Sequence, residues 1–403
     1  MIPKDLILFC FNLAKDGEFD VLKQIVPNIR PEEFGLVQQF LTQQGIAPIL
    51  YDRIINSQYD KFLPKEFVGE LKQDYLHNAA RNLYANKQLE EILSRLERLS
   101  IPVMLLKGAH FCFAIFKNPA CRPMSDLDLL FQQATLSKGI AELESLGYQL
   151  SGPVWEGPQH HLPPMVKKGY PFPVEVHNTL ATQANTTVLT PELLWETSQP
   201  GSILGHSVRL LAPTLALFYV CIHAAYQHLF VNAARALFDI DTLVRYYEKD
   251  IDWDTFWDYA QQDDCITGTA FILELSTQLL YTPLPAKVIE KISSIAFPEG
   301  IEQSVFEVML SGEQLPDAPP AGLFNALKWW LTKMVKLTNS IFHAHDKRIS
   351  NSPSTRMQAG TFFRRSCFLF KDYFSAMLNL RHINRNQQNL KANLKLRRWL
   401  GVR

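Results

Sequence analysis

Two aspartates separated by one residue, Asp126 and Asp128, stand at the start of a short apolar run. The run predicts a β-strand, and residues i and i+2 of a strand project from the same face. The two carboxylates are therefore expected to face one volume, where their repulsion favours a bridging divalent cation. Glu175 alternates with Val174 and Val176 in a second predicted strand and could supply a third carboxylate.

Three carboxylates, completed by water and phosphate oxygens, match the octahedral oxygen shell that Mg²⁺ prefers, with Mn²⁺ as the alternative ion. His177 shares the strand face of Glu175 and could contact a phosphate or orient the acid. An ordinary hydrogen-bonded histidine is the other interpretation of His177. The pattern therefore predicts a divalent-metal site at Asp126, Asp128 and Glu175.

A turn that contains a lysine and a glycine precedes this site. Lys107 and Gly108 close an apolar run over residues 101–106, which predicts a buried strand, a tight turn and a short helix. Glycine there would let the backbone approach a phosphate, and the helix N-terminus would favour anionic oxygens. Arg122, four residues before Asp126, could neutralise a triphosphate or a pyrophosphate. A plain surface charge is the alternative for Lys107 and for Arg122.

Two other acidic motifs lack this setting. Asp239 and Asp241 lie in a helical pattern, where about 100° per residue sets their carboxylates about 200° apart, and they are interpreted as helix surface. The run from Asp250 through Asp252 to Asp254 imitates the start of a calcium-binding loop. It lacks the glycine and the final glutamate that such a loop needs, and it is interpreted as a helix cap.

Two pairs of histidines receive weaker interpretations. His160 and His161 lie in a poor strand pattern and would face opposite ways, so at most one of them is expected in the site. His223 and His228 are five residues apart in a predicted helix, which is a poor spacing for a shared metal. A structural role is favoured for this second pair.

The elements around these residues predict an α+β fold, with a small mixed β-sheet core flanked by large helical segments. Helical patterns run from residue 4 to about 100 and again from Pro213, whereas strands and helices interleave only between about 100 and 180. We expect four units: a helical N-terminal segment at 1–100, the core at 101–182, a helical domain at 183–310 and a helical, basic C-terminal segment at 311–403.

The chain is neutral overall, with 40 basic and 40 acidic residues, but its charge is unevenly distributed. Residues 347–403 contain 13 lysines and arginines against one acid, so the preceding residues carry a net charge of −12. Within this basic segment, residues 361–386 are expected to form a terminal helix that packs on the acidic body. Peripheral membrane contact and nucleic-acid contact through the same residues are the alternatives.

The cysteines and the apolar stretches favour a cytoplasmic location. Six scattered cysteines include no CxxC pair, and the first residues lack the basic start and cleavage site of a signal peptide. The longest apolar stretch, residues 210–226, contains a proline and a histidine and is shorter than the roughly 20 residues that a membrane span needs. A cytoplasmic protein without a transmembrane helix is expected.

The chemistry-bearing residues occur in an order that resembles a known family. Leu-Lys-Gly at 106–108, then Arg122, Asp-Leu-Asp-Leu-Leu at 126–130 and Glu-Val-His at 175–177 resemble an uncharacterised bacterial nucleotidyltransferase family. That family belongs to the nucleotidyltransferase superfamily of DNA polymerase beta. The resemblance covers the predicted core and, more loosely, the helices that follow it.

This resemblance implies a reaction and a set of roles. Mg²⁺ ions held by Asp126, Asp128 and Glu175 would activate an acceptor hydroxyl for attack on the α-phosphate of an NTP. An NMP would be transferred and pyrophosphate would leave. The residues implied to bind the nucleotide are Lys107, Gly108, Arg122 and His177.

One departure from the superfamily pattern keeps other functions open. Gly108 matches the glycine of a Gly-Ser turn, but Ala109 stands in place of the serine that contacts phosphates. A nucleotide-binding or scaffold protein without turnover is therefore an alternative. A glycosyltransferase that holds a nucleotide-sugar through Asp-x-Asp is another, disfavoured because the apolar run here follows the motif. A sugar, a peptide product and a protein side chain all remain open as the acceptor.

Overall fold

The chain folds into helices around one mixed β-sheet, as seen in a computed structural model that describes residues 4–13, 19–152, 161–180, 186–311 and 380–402. The helices before the last strand are α1 Lys4–Asn12, α2 Phe19–Ile25, α3 Pro31–Gln44, α4 Ala47–Asn56, α5 Lys65–Arg98, α6 Lys107–His110, α7 Leu136–Ser145 and α8 Pro191–Thr197. Those after it are α9 Pro213–Ile222, α10 Ala233–Tyr246, α11 Trp253–Gln262, α12 Ile266–Leu280, α13 Ala286–Ser293, α14 Ile301–Ser311 and α15 Leu380–Leu400. Shorter 3₁₀ and π turns occur at Val26–Asn28, Tyr59–Phe62, Phe111–Ile115, Pro119–Cys121 and His223–Gln227.

The sheet of the described residues has seven short strands. They are β1 Val103–Leu105, β2 Leu127–Phe131, β3 Gln149–Leu150, β4 Met165–Val166, β5 Val174–His177, β6 Gln199–Ile203 and β7 His206–Leu210. Their order across the sheet is β3-β4-β5-β2-β1-β7-β6. Strand β2 pairs parallel to β5 and antiparallel to β1, and β1 pairs parallel to β7. The predicted α+β fold with a mixed sheet is thus confirmed.

A hairpin of β6 and β7 extends the sheet beyond the predicted core. Its turn is formed by Leu204 and Gly205, which both have positive φ, at 54° and 82°. Strand β6 lies at the sheet edge and, among the described strands, pairs only with β7. Proline, which has no backbone N–H, is tolerated in such an edge strand, as at Pro200. The expectation that strands occur only between about 100 and 180 is therefore wrong at this hairpin. The boundaries of the four expected units stay a prediction.

The two faces of the sheet pack against different clusters of side chains. In β2, Leu127 and Leu129 join the cluster that contains Leu89 of the long helix α5. Leu130 joins the larger cluster formed by the surrounding helices. Because strand residues alternate between faces, Asp128 lies on the same side as Leu130, toward the helical body. The two-residue period therefore turns the acidic side chain toward the helices.

Helix α9 forms the centre of the helical body. Every residue from Pro213 to Ile222 is buried, so this helix has no solvent face, as expected for a helix surrounded by others. Proline at its first position needs no hydrogen-bond partner for a backbone N–H and suits the helix start. The predicted helix start at Pro213 is confirmed, as is the cap at Asp252, whose carboxylate accepts from the backbone N–H of Asp254 and of Thr255.

The C-terminal helix α15 packs against α14 and closes the helical body. Leu396 is fully buried, and the ring of Trp399 lies 5.2 Å from that of Phe271 and 6.4 Å from that of Phe230. The terminal helix predicted at 361–386 falls mostly outside the described residues, and its packing stays a prediction. Among the described helices, none is long and apolar enough to cross a membrane.

The docking of α15 predicts unequal costs for two identical substitutions on this helix. Leu396→Ala removes a fully buried side chain and is expected to lower the free energy of unfolding by about 2–5 kcal/mol. Leu394→Ala, at a side chain that is 45% exposed, is the matched control and should cost less than about 1 kcal/mol. Urea denaturation of both variants measures the difference. Equal costs would contradict this packing of α15.

Candidate active site

The parallel pairing of β2 with β5 brings the two acidic strands together. Asp128 is the direct Cα partner of Glu175, and Leu130 is the partner of His177. Val174 and Val176 are buried in the cluster on the α5 side, so the residues that alternate with them face the helical body. The register therefore places the carboxylates of Asp128 and Glu175 and the imidazole of His177 on one face.

The carboxylate of Asp128 is fully buried and is held by two nitrogen atoms. Its Oδ1 accepts from Lys107 Nζ at 2.8 Å and contacts His177 Nε2 at 2.7 Å. Its Oδ2 is buried and has no hydrogen-bond partner within the described part of the chain. Burial alone would raise the pKa of Asp128, but the bond from His177 and the charge of Lys107 outweigh it and lower the pKa. Asp128 is therefore ionised.

His177 carries a proton on both ring nitrogens. Nδ1 faces the carbonyl oxygen of Thr179 at 3.2 Å, and Nε2 faces the ionised carboxylate of Asp128. Neither acceptor has a proton to give, so both nitrogens donate. Burial opposes this charge, but hydrogen bonds to Asp128 and Glu175 raise the pKa of His177 above its ordinary value. Two cations thus face two carboxylates at the centre of the site.

Glu175 lies at the more open side of this cluster. Its Oε2 is 3.6 Å from His177 Nε2 and 4.0 Å from both Lys107 Nζ and His161 Nε2. The hydrogen bond from His177 lowers the pKa of Glu175, against the effect of burial. His161 forms an isolated bridge with His177, so it reaches the site as one of the predicted pair. His160 lies outside the described residues.

Three side chains of this cluster could hold a metal ion. Ligand atoms of Asp128, Glu175 and His177 all lie within 4.8 Å of one another. Oδ2 of Asp128 is buried and accepts no hydrogen bond from the described residues. A bound cation would supply the partner that a buried carboxylate oxygen needs. Two of the three predicted metal ligands thus lie in the group. His177 is its third member, but it would have to lose a ring proton to bind a metal, so Asp126 stays the predicted third ligand.

Asp126 lies beside this group, at the wall of the adjoining pocket. Its carboxylate contacts the Ser125 hydroxyl at 2.8 Å. Burial and the negative charge of Asp128 raise the pKa of Asp126 to about 6. Its place as a metal ligand stays a prediction, and with a pKa of about 6 its carboxyl changes its ionisation between pH 5 and pH 7.

The turn after β1 differs in detail from the predicted glycine turn. The residue with the left-handed backbone is Lys107, at φ 44°, and not Gly108. A side chain on Gly108 would have its Cβ 3.0 Å from Cγ of Met124, so Met124 would have to move by a few tenths of an ångström. Ala109 is fully buried. The strained backbone at Lys107 belongs to the residue that contacts Asp128, as is common at functional sites.

A pocket of about 640 Å³ adjoins the cluster. Lys107 and His161 line it and also contact the acids, so Asp128 and Glu175 lie directly behind them. Asp126, just before β2, lines the same side of the pocket as Lys107 and His161. Arg122, which precedes β2, lines the pocket as well. The polar side chains that the helical body contributes are Tyr219, His223, Tyr226, Gln227, His228, Asn232, Arg235, Asp239 and Arg397. The pocket therefore lies between the sheet and the helices.

Arg122 is already paired with a carboxylate. Its Nε donates to Asp239 Oδ1 at 2.7 Å and its Nη2 to Asp239 Oδ2 at 2.8 Å, which is a bidentate ion pair. Asp241 accepts from Arg53 at 3.1 Å and from Arg245 at 2.9 Å. Asp239 and Asp241 are buried, so their interpretation as helix surface is wrong. The nucleotide-binding role of Arg122 stays a prediction, although Asp239 neutralises its charge.

Residues from the helical body form a part of the pocket that sequence reasoning missed. Nε2 of His223 lies 3.1 Å from Nε2 of His228, because a π turn at His223–Gln227 shortens the distance between them. Both rings line the pocket, whereas their spacing in the sequence favours a purely structural role. Arg235 was not singled out at all, and its only local signal is the i, i+4 spacing to Asp239.

Comparison with known proteins identifies the family to which this chain belongs. The model of a family described as uncharacterised nucleotidyltransferase matches residues 30–281, more than half of the chain, so the chain belongs to that family. It is similar to the crystal structure of an antigenic nucleotidyltransferase-like protein from Paracoccidioides brasiliensis. The identity is 14%, the TM-score is 0.32, and the match covers 51% of this chain and 95% of that chain. No curated protein matches the sequence.

The buried pair of Arg122 and Asp239 predicts a structural cost that substitution of a surface arginine would not have. Arg122→Met leaves Asp239 buried without its partner and is expected to lower the free energy of unfolding by about 3–5 kcal/mol. The double variant Arg122→Met/Asp239→Leu should regain most of this loss, because neither charge is then left alone. Urea denaturation measures both. An unchanged unfolding midpoint in Arg122→Met would contradict the pairing.

Proposed function

We propose that this protein transfers an NMP from an NTP to an acceptor hydroxyl and releases pyrophosphate, with Mg²⁺ or Mn²⁺ as cofactor. One observation carries the proposal: Asp128 and Glu175 are direct neighbours beside a pocket, and Asp128 Oδ2 is buried without a donor among the described residues. Membership of a nucleotidyltransferase family supports an NTP as the donor. The acceptor class (sugar, peptide product or protein side chain) stays open.

The proposed roles follow from the contacts of each side chain. Asp128 and Glu175, with Asp126 at the pocket wall, hold the metal. When bound, the metal neutralises phosphate charge and favours ionisation of the acceptor hydroxyl. His177 fixes the carboxylate of Asp128 through Nε2, and Thr179 O fixes the ring through Nδ1. Lys107 places a positive charge between Asp128 and the pocket.

Lys107 and the adjoining turn also carry the predicted contacts to the nucleotide. Gly108 and Lys107 line the pocket, so both are accessible to a phosphate there. His177 is fully buried and does not line the pocket, which favours positioning of Asp128 over direct nucleotide contact. Arg122 lines the pocket while it is paired with Asp239. Lys107 is therefore the stronger candidate for a phosphate contact.

A nucleotide-binding protein without turnover is the second candidate. It is favoured by the two nitrogen atoms already bonded to Asp128 Oδ1, which occupy half of the carboxylate that a metal would use. Ala109 also supplies no hydroxyl at the turn. This candidate predicts the same nucleotide binding but no release of pyrophosphate with any acceptor.

Binding of an NTP with Mg²⁺ is expected to depend on the acidic pair. At about 100 times its Kd, a ligand stabilises the folded protein by about 2.7 kcal/mol, which a thermal unfolding scan detects. Asp128→Asn and Glu175→Gln should lose this stabilisation, and Asp258→Asn, at an exposed acid of α11, should keep it. Each of the four NTPs is tested with Mg²⁺, Mn²⁺ or EDTA. Stabilisation that survives in Asp128→Asn, or that is absent with every NTP, would overturn the proposal.

The raised pKa of Asp126 predicts that metal-dependent NTP binding weakens in acid. With a pKa of about 6, this carboxyl is mostly ionised at pH 7 and mostly neutral at pH 5, so affinity should fall about tenfold over that interval. In the metal-free protein the free energy of unfolding depends on pH in the opposite direction. It falls as the pH rises through 6, because the pKa of Asp126 is higher in the folded state and its ionisation there therefore costs stability.

Titration calorimetry with the NTP and Mg²⁺ at pH 5, 6 and 7 measures this dependence. Asp126→Asn is the control, since the titration of the nucleotide itself is common to both proteins. The variant should bind more weakly at pH 7 and show a flatter profile. A profile as steep as that of the unsubstituted protein would exclude Asp126 as the titrating group.

A further inference from the structure

Arg235 occupies a prepared position in the wall of the pocket. It lies in the first turn of α10, and its Nε donates to the backbone carbonyl of Gln44 at 3.2 Å. Its guanidinium packs against Gly45, which ends α3 with φ 66° and has no side chain to displace it. A Cβ on that residue would clash with Nη2 of Arg235. The end of α3 therefore fixes the guanidinium in place.

No carboxylate of the described residues lies within ion-pair distance of Arg235. The contrast is Arg122 in the same pocket, which Asp239 binds through both oxygens. Burial and the nearby charge of Arg122 lower the pKa of Arg235 to about 10, so the side chain still carries its charge at neutral pH. The charges of Asp239 and Asp126 offset this only in part, and a partly buried charge without a direct ion-pair partner is unfavourable in the free protein. Such a charge is favourable once an anion binds beside it.

The pocket lining carries more positive than negative charge, which also favours binding of an anion. Its lysine and arginine side chains number four, and its acids number two, one of which is already bound to Arg122. The two histidines of the helical wall, His223 and His228, add polar side chains and no acid. A planar guanidinium held at a fixed angle matches the paired oxygens of a phosphate or a similar anion.

We propose that Arg235 is an anion-binding residue and that the helical wall of the pocket binds a phosphate-type group. This anion site rests on the proposed function only in identifying which molecule carries the phosphate-type group. One source is the triphosphate of the NTP, in which case Arg235 takes the role that the sequence suggested for Arg122. The other source is an anionic group on the acceptor, which would make the acceptor a phosphorylated or similarly charged molecule.

Inorganic pyrophosphate in EDTA is the probe, because it tests the anion site without the metal site. Titration calorimetry on the full chain should detect binding that Arg235→Gln weakens about tenfold or more, the loss expected for charge-assisted hydrogen bonds. Arg235→Lys keeps the charge and should retain part of the affinity. Arg98→Gln, at an exposed arginine of α5 outside the pocket, is the control for lost charge and should bind normally.

The same variants separate this inference from the proposed function. Asp128→Asn should still bind pyrophosphate in EDTA, although it loses metal-dependent binding of NTP. Absence of pyrophosphate binding by the unsubstituted protein, or equal binding by Arg235→Gln with native circular dichroism, would overturn the anion site. Pyrophosphate binding through Arg235 without any metal-dependent NTP binding would leave the anion site standing and overturn the nucleotidyltransferase proposal.

The source of the anion is read from NTP binding in the presence of Mg²⁺. If Arg235→Gln weakens NTP binding as much as it weakens pyrophosphate binding, Arg235 contacts the triphosphate. If NTP binding is unchanged while pyrophosphate binding is lost, the group belongs to the acceptor. Both results support the anion site, and the second directs the acceptor search toward phosphorylated compounds.

Discussion

The burial of the Asp128 carboxylate is the constraint on which the rest of the site depends. A fully buried charge is stable only when donors surround it, and two cations meet here at one oxygen. Lys107 reaches it from the turn after β1, with the backbone held in the left-handed region. His177 reaches it from β5, where the register also brings Glu175 alongside. Three elements are thus positioned by a single carboxylate.

A second set of buried charges ties the sheet to the helical body. Asp239 of α10 binds Arg122, which precedes β2, and Asp241 binds Arg53 of α4. One helix therefore joins the N-terminal helices and the acidic strand through two residues of a single turn. Such pairs contribute little net stability compared with apolar residues, but each is costly to break because the remaining charge stays buried. They define where the pocket lies between the sheet and the helices.

The pocket combines two kinds of electrostatic environment. Acids dominate its strand side, where Asp126 has a raised pKa and Glu175 lies just behind Lys107. The helical side has Arg235, with no carboxylate partner in the described residues, and the paired rings of His223 and His228. A phosphate ester with a bound cation has the complementary arrangement of charge. This division agrees with the nucleotidyltransferase family to which the chain belongs.

The sequence by itself determined the local elements and their faces. Period-two alternation predicted that Glu175 and His177 share one side of a strand, and proline and aspartate marked the starts of α9 and α11, because these signals act between residues close in the chain. Only the tertiary structure decided that Arg122 binds Asp239, 117 residues away, that β7 joins β1 and that Arg235 faces the pocket without a carboxylate partner in the described residues. Such partners depend on how distant segments pack, and no local pattern records which cation meets which carboxylate.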